Sequence, residues 1–447
     1  MSISVAIIGA GASGFYTAKA LFDRGVDCTV DMIEKFPSPY GLIRYGIAPD
    51  HPYTDGVIKS FEKVAANERF EFFGNVNVGQ DISLLELRSL YDVVVLAIGA
   101  PADSKPSLIN DRVEGIYGAA EFVGWYTGHP EFRDLFSAIG TKGVAVIGNG
   151  NVALDIARIL GRTRAELSKT DMPGYAIDMI ASSRLKNIYM LGRRGPLDAK
   201  FSGPALRELS GLTRCEPVVD PEVLPDELPD DLSPQALRTA KRNLKIFSSF
   251  TNPTNDPKKR QIHFCFNAIP MEILGKDKVE GIRIQQGVVE RGRAKGLGTY
   301  RDIRCGMVIA AVGYRVIPLE GVPICVDRGM VLNEDGIVAD NLVAVGWAKR
   351  GPTGLIGSNR ADGEHAAKQI AELFTCGEKP GRDRFKYHLS ARGVRWVSNE
   401  DWKTIDAAEI AGAPADAPRR KFISVDEMLS AASPGEDEDP QAVEGVS

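Results

Sequence analysis

No two cysteines stand close enough to form a C-x-x-C pair. The six, Cys28, Cys215, Cys265, Cys305, Cys325 and Cys376, are scattered over 447 residues. That spacing excludes a dithiol redox centre and a local metal or iron–sulfur site, and leaves ordinary free thiols. No apolar run approaches the roughly twenty residues that a membrane span needs. The run Ser4-Val5-Ala6-Ile7-Ile8 begins three residues after Met1, too short a lead for a signal peptide. Nor is there an excess of positive charge: a net charge of -5 argues against a general nucleic-acid binder. What remains is a chain with 44% hydrophobic and 25% charged residues, the composition of an ordinary globular protein. Its length suits two or three domains. The expectation is a cytoplasmic protein with no nucleic-acid or membrane partner and no metal site.

What is present begins at the amino terminus. The β-favouring run Ser4–Ile8 stops at Gly9-Ala10-Gly11-Ala12-Ser13-Gly14, and helical spacing follows from Phe15 to Leu21. Strand, glycine turn and helix give G-x-G-x-x-G its mechanical meaning. Gly9 permits the turn, Gly11 lets a pyrophosphate approach the backbone, and Gly14 lets helix pack on strand. The N–H groups at the helix start then face the phosphates. A second strand, Cys28–Ile33, ends in Glu34, the place for a carboxylate that meets a ribose hydroxyl.

The arrangement repeats. Gly143–Ile147 reads as a strand, Gly148-Asn149-Gly150-Asn151-Val152-Ala153 as G-x-G-x-x-A, and Leu154–Leu160 as the helix. The next strand, Ile188–Gly192, ends in Arg193-Arg194 rather than an acid. Guanidinium forks suit a 2′-phosphate where an acid suits a free 2′-hydroxyl, so the second site reads as one for NADPH. Between the two turns, the stretch 36–52 carries four prolines and two glycines yet is apolar, which suits the lining of a site.

Further helices are predicted at 54–67, 84–90, 234–247 and 359–373. Strands are predicted at 70–73, 76–78, 91–100, 261–266, 281–285, 307–312 and from 342, with a loop over 217–234. Arg238, Lys241, Arg242 and Lys245 share one face of the 234–247 helix. The tail 434–447 is acidic and poor in apolar residues, the composition of a disordered segment. The fold class is therefore α/β with two Rossmann-like dinucleotide-binding domains. The FAD-binding domain is 1–104 plus 330–447, and the NADP-binding domain, 105–329, is inserted in it.

The layout resembles the adrenodoxin reductase family of ferredoxin–NADP reductases, from about Ser4 to the Trp396–Trp402 region. The most specific matches are Tyr40-Gly41-Leu42-Ile43-Arg44-Tyr45-Gly46-Ile47-Ala48-Pro49-Asp50-His51-Pro52, Gly148–Asp155, Gly192-Arg193-Arg194-Gly195-Pro196 and Gly346-Trp347-Ala348-Lys349-Arg350-Gly351-Pro352-Thr353-Gly354. The resemblance implies a glutathione reductase-like fold and electron transfer from NADPH through FAD to a small acidic ferredoxin. That carrier would supply a cytochrome P450 or another oxygenase. It further implies FAD contacts from Gly9, Gly11, Ser13, Gly14, Glu34, Leu42, Val78, Trp347, Gly354, Leu355 and Ile356. NADP contacts would come from Asn149, Gly150, Asn151, Val152, Arg193, Arg194 and Gly354. A His and Glu near the flavin fall on His51 and Glu208. The Arg238–Lys245 stripe becomes a dock for the acidic carrier, and the protein a monomer or weak dimer.

Two departures stand out. The family's Pro-Ala in the first turn is Ala12-Ser13 here, where backbone N–H groups do the binding. A family Glu near NADP is Ala205, one hydrogen bond fewer, about 1 kcal/mol. The alternative functions are an NADPH:quinone or small-molecule oxidoreductase and an electron-distributing flavin subunit of a larger complex.

Overall fold

The computed structural model describes residues 2–51, 55–104, 106, 113–229, 233–254, 256, 259–290 and 292–432. The acidic tail, Thr54 and Pro52 lie outside them. Two six-stranded sheets form the frame. The first runs in the order Ile337–Ala339, Leu342–Ala344, Val93–Leu96, Ile3–Ile8, Cys28–Ile33, Phe70–Phe73. Its strands are parallel except for the outermost Ile337–Ala339. The second runs Ile116–Gly118, Met307–Ala310, Gly143–Ile147, Asn187–Leu191, Arg260–Cys265, Cys215–Val219, all parallel.

The central strands of both sheets are buried along almost their whole length, as continuous apolar runs must be when helices cover both faces. Helices Ala12–Asp23 and Ser358–Leu373 pack on one another beside the first sheet, with Phe15, Ala18, Leu21, Ala366, Ala367 and Ile370 in its core. Helix Asn151–Gly161 buries Leu154, Ile156, Ile159 and Leu160 against the second.

Residues from both ends of the chain thus build the first sheet, and the middle builds the second. The two passages between them pair: Ala102–Asp103 runs antiparallel to Tyr314–Arg315. The Asp103 carboxylate accepts from the Ala120 N–H at 2.8 and 2.9 Å, at the start of helix Ala119–Thr127. Burial raises its pKa to about 6.

The observed elements depart from the predicted ones in several places, of which these bear on the frame. Val76–Val78 forms no strand; Val78 only bridges Ile82. Residues 217–219, predicted as loop, belong to the strand Cys215–Val219. That strand is the edge of its sheet, where a proline such as Pro217 is tolerated because one side needs no N–H donor. A third sheet, antiparallel, joins Ala268–Leu274, Gly281–Glu290 and Arg293–Arg304. Ile282, Ile284 and Ile303 pack it under the second sheet against Ala145, Ile147 and Val308. Beyond Leu373, helices Gly381–Ala391, Asn399–Ala411 and Val425–Ala432 bury Phe385, Leu389, Trp402, Ile405 and Met428 in the cores flanking the first sheet.

Candidate functional site

At the first glycine turn the three glycines have three separate reasons. Gly9 has φ +105°, and a Cβ there would lie 2.5 Å from the Ala97 carbonyl oxygen. A Cβ on Gly14 would lie 2.3 Å from the Gly9 oxygen, whereas one on Gly11 would meet nothing within 4 Å. The first two are closed by the protein itself; the open one leaves room for a phosphate. Ser13 is buried, its hydroxyl donating to Asn359 Oδ1 at 3.1 Å. Glu34 ends its strand with Oε2 accepting from the Ala10 N–H at 2.8 Å, and burial raises its pKa.

The apolar stretch from Phe36 folds over this turn. The Tyr40 N–H donates to the Ala10 carbonyl at 2.8 Å, and Gly41 comes so close that its Cβ would lie 3.2 Å from Gly11 Cα. Tyr40 is held at φ 82°, a costly conformation for a bulky residue that persists where surroundings over-determine it. Its ring packs between Phe15 and Trp402. A one-turn helix, Leu42–Tyr45, follows and leaves Leu42 47% exposed beside the turn.

From the carboxyl-terminal side, Gly346 starts the short helix Gly346–Arg350. Trp347 Nε1 donates to the Thr353 carbonyl at 3.0 Å, and its ring stacks on Tyr314 at 5.7 Å between centroids. Gly354 has φ +84°, Leu355 is exposed, and Ile356 packs on the first core. Val78 lies in the neighbouring core, half-buried.

The second turn repeats the first. Gly148 has φ +154° and would bring a Cβ to 2.4 Å from the Ala311 oxygen, while Gly150 faces open space. The Asn149 side chain lies against Gly192, its amide nitrogen buried without a hydrogen-bond partner. Asn151 Oδ1 accepts from the Ser202 N–H at 2.9 Å, and Val152 packs on the core. Arg193 is exposed; Arg194 pairs with Asp198 at 3.2 Å. Both turns therefore have the open glycine and the aligned N–H groups that a dinucleotide requires.

His51 and Glu208 meet through residues the sequence reading did not assign. His51 Nε2 lies 3.2 Å from Asp155 Oδ1 and 3.2 Å from Arg158 Nη2. Arg158 Nη1 lies 3.5 Å from Glu208 Oε2. The carboxylate against His51 is thus Asp155, with Arg158 between His51 and Glu208. Arg158 is fully buried and donates two bonds of 2.7 Å to Asp50, to which Arg162 adds one of 2.6 Å. Burial alone would raise the Asp50 pKa, yet the two guanidinium groups hold it down at about 2. The hydrogen bond that the His51 ring donates to the Asp155 carboxylate raises the pKa of His51, against its partial burial. The one visible signal was Arg158 itself, a charge within the apolar run Leu154–Leu160, i+3 from Asp155 and so on its face.

Asn267, which no sequence pattern marks, stands at φ 53° between two strands. Its N–H donates to the Arg194 carbonyl at 3.2 Å, and its buried side-chain oxygen, unpaired, lies beside Gly195. Ala205 is buried, its N–H capped by Ser202 Oγ at 3.3 Å. The helix Pro234–Ser248 buries Ala240, Asn243, Ile246 and Phe247 and turns Arg238, Lys241, Arg242 and Lys245 to solvent.

No protein-family model matches the chain. Known proteins do. It is 36% identical over 461 residues to the mitochondrial NADPH:adrenodoxin oxidoreductase of Arabidopsis thaliana, covering 96% of this chain and 95% of that protein. It is 36% identical over 448 residues to the NADPH-ferredoxin reductase FprA of Mycobacterium tuberculosis, covering 95% and 98%. A solved structure of that mycobacterial reductase in complex with NADPH matches with a TM-score of 0.90, over 97% of this chain and 100% of that one. With that similarity running the whole length and both glycine turns in place, the chain belongs to the adrenodoxin reductase family of ferredoxin–NADP reductases.

Proposed function

We propose that the protein passes electrons from NADPH through FAD to a small acidic iron–sulfur protein of the ferredoxin type, which supplies a cytochrome P450 or another oxygenase. The observation that carries this is the seam between the two glycine turns. The loop lying over the first turn ends in Asp50 and His51, and these bind Arg158 and Asp155 on the helix that starts at the second. Two dinucleotides held at those turns face one seam. The names of the relatives, NADPH-dependent adrenodoxin and ferredoxin reductases, support the same donor and acceptor.

When bound, FAD supplies two-electron acceptance from a nicotinamide and one-electron release to a carrier. The chain's own task is to hold and orient. Residues 1–104 with 330–447 form the FAD-binding part, through Gly9, Gly11, Ser13, Gly14, Glu34, Leu42, Val78, Trp347, Gly354, Leu355 and Ile356. Residues 105–329 bind NADP through Asn149, Gly150, Asn151, Val152, Arg193 and Arg194, with Gly354 near the nicotinamide. His51 and Glu208 line the seam, where His51 can carry a proton at Nε2. The exposed stripe of Arg238, Lys241, Arg242 and Lys245 attracts the acidic carrier and raises its association rate. Six free thiols fit a reducing compartment, and the protein works in the cytoplasm as a monomer or weak dimer.

The test is nucleotide preference. Replacing Arg193 and Arg194 by Ala removes charge-assisted bonds to a 2′-phosphate and should cut the NADPH-over-NADH ratio of kcat/KM by about tenfold or more. An unaltered ratio contradicts their assignment. Turnover with a quinone but none with any ferredoxin would contradict the acceptor.

A further inference from the structure

The carboxyl-terminal segment following helix Asn399–Ala411 carries a lysine in an unusual place. The Lys421 side chain is 3% exposed, and its ammonium has three partners from three distant parts of the chain. It donates to the Arg44 carbonyl at 3.0 Å and the Thr127 carbonyl at 3.3 Å, and pairs with Asp171 at 2.8 Å. A buried ammonium is costly unless its donors are met, and here all three are. Arg44 belongs to the one-turn helix of the loop over the first glycine turn. Thr127 ends the helix Ala119–Thr127, and Asp171 follows the helix that begins at the second turn.

The neighbours of Lys421 fix it in place. The Arg44 guanidinium forms a buried two-pronged pair with Glu409, whose side chain is fully buried. The same carboxylate accepts from the Phe422 N–H at 2.8 Å, next to Lys421. Thr127 Oγ1 donates to the Tyr45 carbonyl at 2.8 Å. The loop 40–51 is thus held at both ends: Asp50 by Arg158 and Arg162, and Arg44 by Glu409 and Lys421.

We propose that Lys421 is a positioning residue for electron transfer from NADPH. Its ammonium pins the loop over the first glycine turn to the half of the molecule that carries the second, so that the carboxyl-terminal strap sets how the two nucleotides meet. This rests on the function proposed above. A staple that served only stability would leave the reaction rate of each bound flavin untouched. A pin that sets alignment would not, because small misplacement of reacting groups costs rate steeply.

The experiment is anaerobic stopped-flow reduction of the FAD-loaded full chain by NADPH, with rates expressed per bound flavin. Lys421→Met should retain flavin, slow the limiting reduction by about tenfold or more, and weaken the change in flavin absorption on adding NADP. Reoxidation of the dithionite-reduced enzyme by ferricyanide should be unchanged. Lys421→Arg should restore part of the lost rate. Asp171→Asn, at a partly exposed partner, should slow reduction in the same direction by about threefold, and serves alone if Lys421→Met does not fold. Rates per flavin within about twofold of the parent in the variant that folds, with loss confined to melting temperature or flavin content, would overturn the pin. A parent protein that NADPH does not reduce would instead overturn the proposed function.

Discussion

A single nitrogen of His51 faces two groups with opposite demands. At 3.2 Å from both Asp155 and Arg158, Nε2 can donate to the carboxylate or accept from the guanidinium, but not both at once. Asp155 favours the protonated ring and raises its pKa above the free value of 6.5. The stability this pairing contributes is therefore complete below that value and is lost as pH rises through the raised one. Asp155→Asn should move the ionisation of His51, read from the pH dependence of flavin reduction by NADPH, to lower pH. An unmoved limb would mean that the ionisation belongs to another group. His51 was legible from its motif, but its partner was not. Asp155 is 104 positions away, and only the docking of one helix against the loop over the other turn brings them together.

At the scale of elements, the glycine turns make the clearest demand. Gly11→Ala places a methyl group where the protein has nothing within 4 Å, so the flavin-free variant should melt with the flavin-free parent while the purified variant loses its flavin. Gly14→Ala, pressed to 2.3 Å from the Gly9 oxygen, should unfold the helix–strand contact instead. A yellow Gly11→Ala protein would mean that no pyrophosphate approaches there. On the helix Pro234–Ser248, Arg238→Glu with Arg242→Glu should raise the ferredoxin KM several-fold and flatten its salt dependence, with ferricyanide turnover unchanged. Unchanged ferredoxin kinetics would return the stripe to an ordinary solvated face. These elements were readable because their apolar spacing is strong. Pro217 hid an edge strand because proline weakens that pattern wherever it stands. The exposed strand Arg293–Arg304, with little but Ile303 buried, carries almost no alternation to read.

For the molecule as a whole, two largely parallel sheets joined by the ribbon of Ala102–Asp103 and Tyr314–Arg315 create one seam, closed by a loop from the first half and a strap from the carboxyl end. The sheets and their glycine turns were legible because buried parallel strands are continuous apolar runs. The strap was not, because Lys421 and Glu409 are polar residues whose burial depends entirely on partners far away in sequence. The most direct measurement is anaerobic mixing of the purified protein with NADPH, followed by addition of a ferredoxin. A yellow protein should bleach on NADPH and regain its colour as the ferredoxin is reduced. A colourless protein that cannot be reconstituted with FAD, or a yellow one that NADPH leaves unbleached, would contradict two nucleotides meeting at this seam.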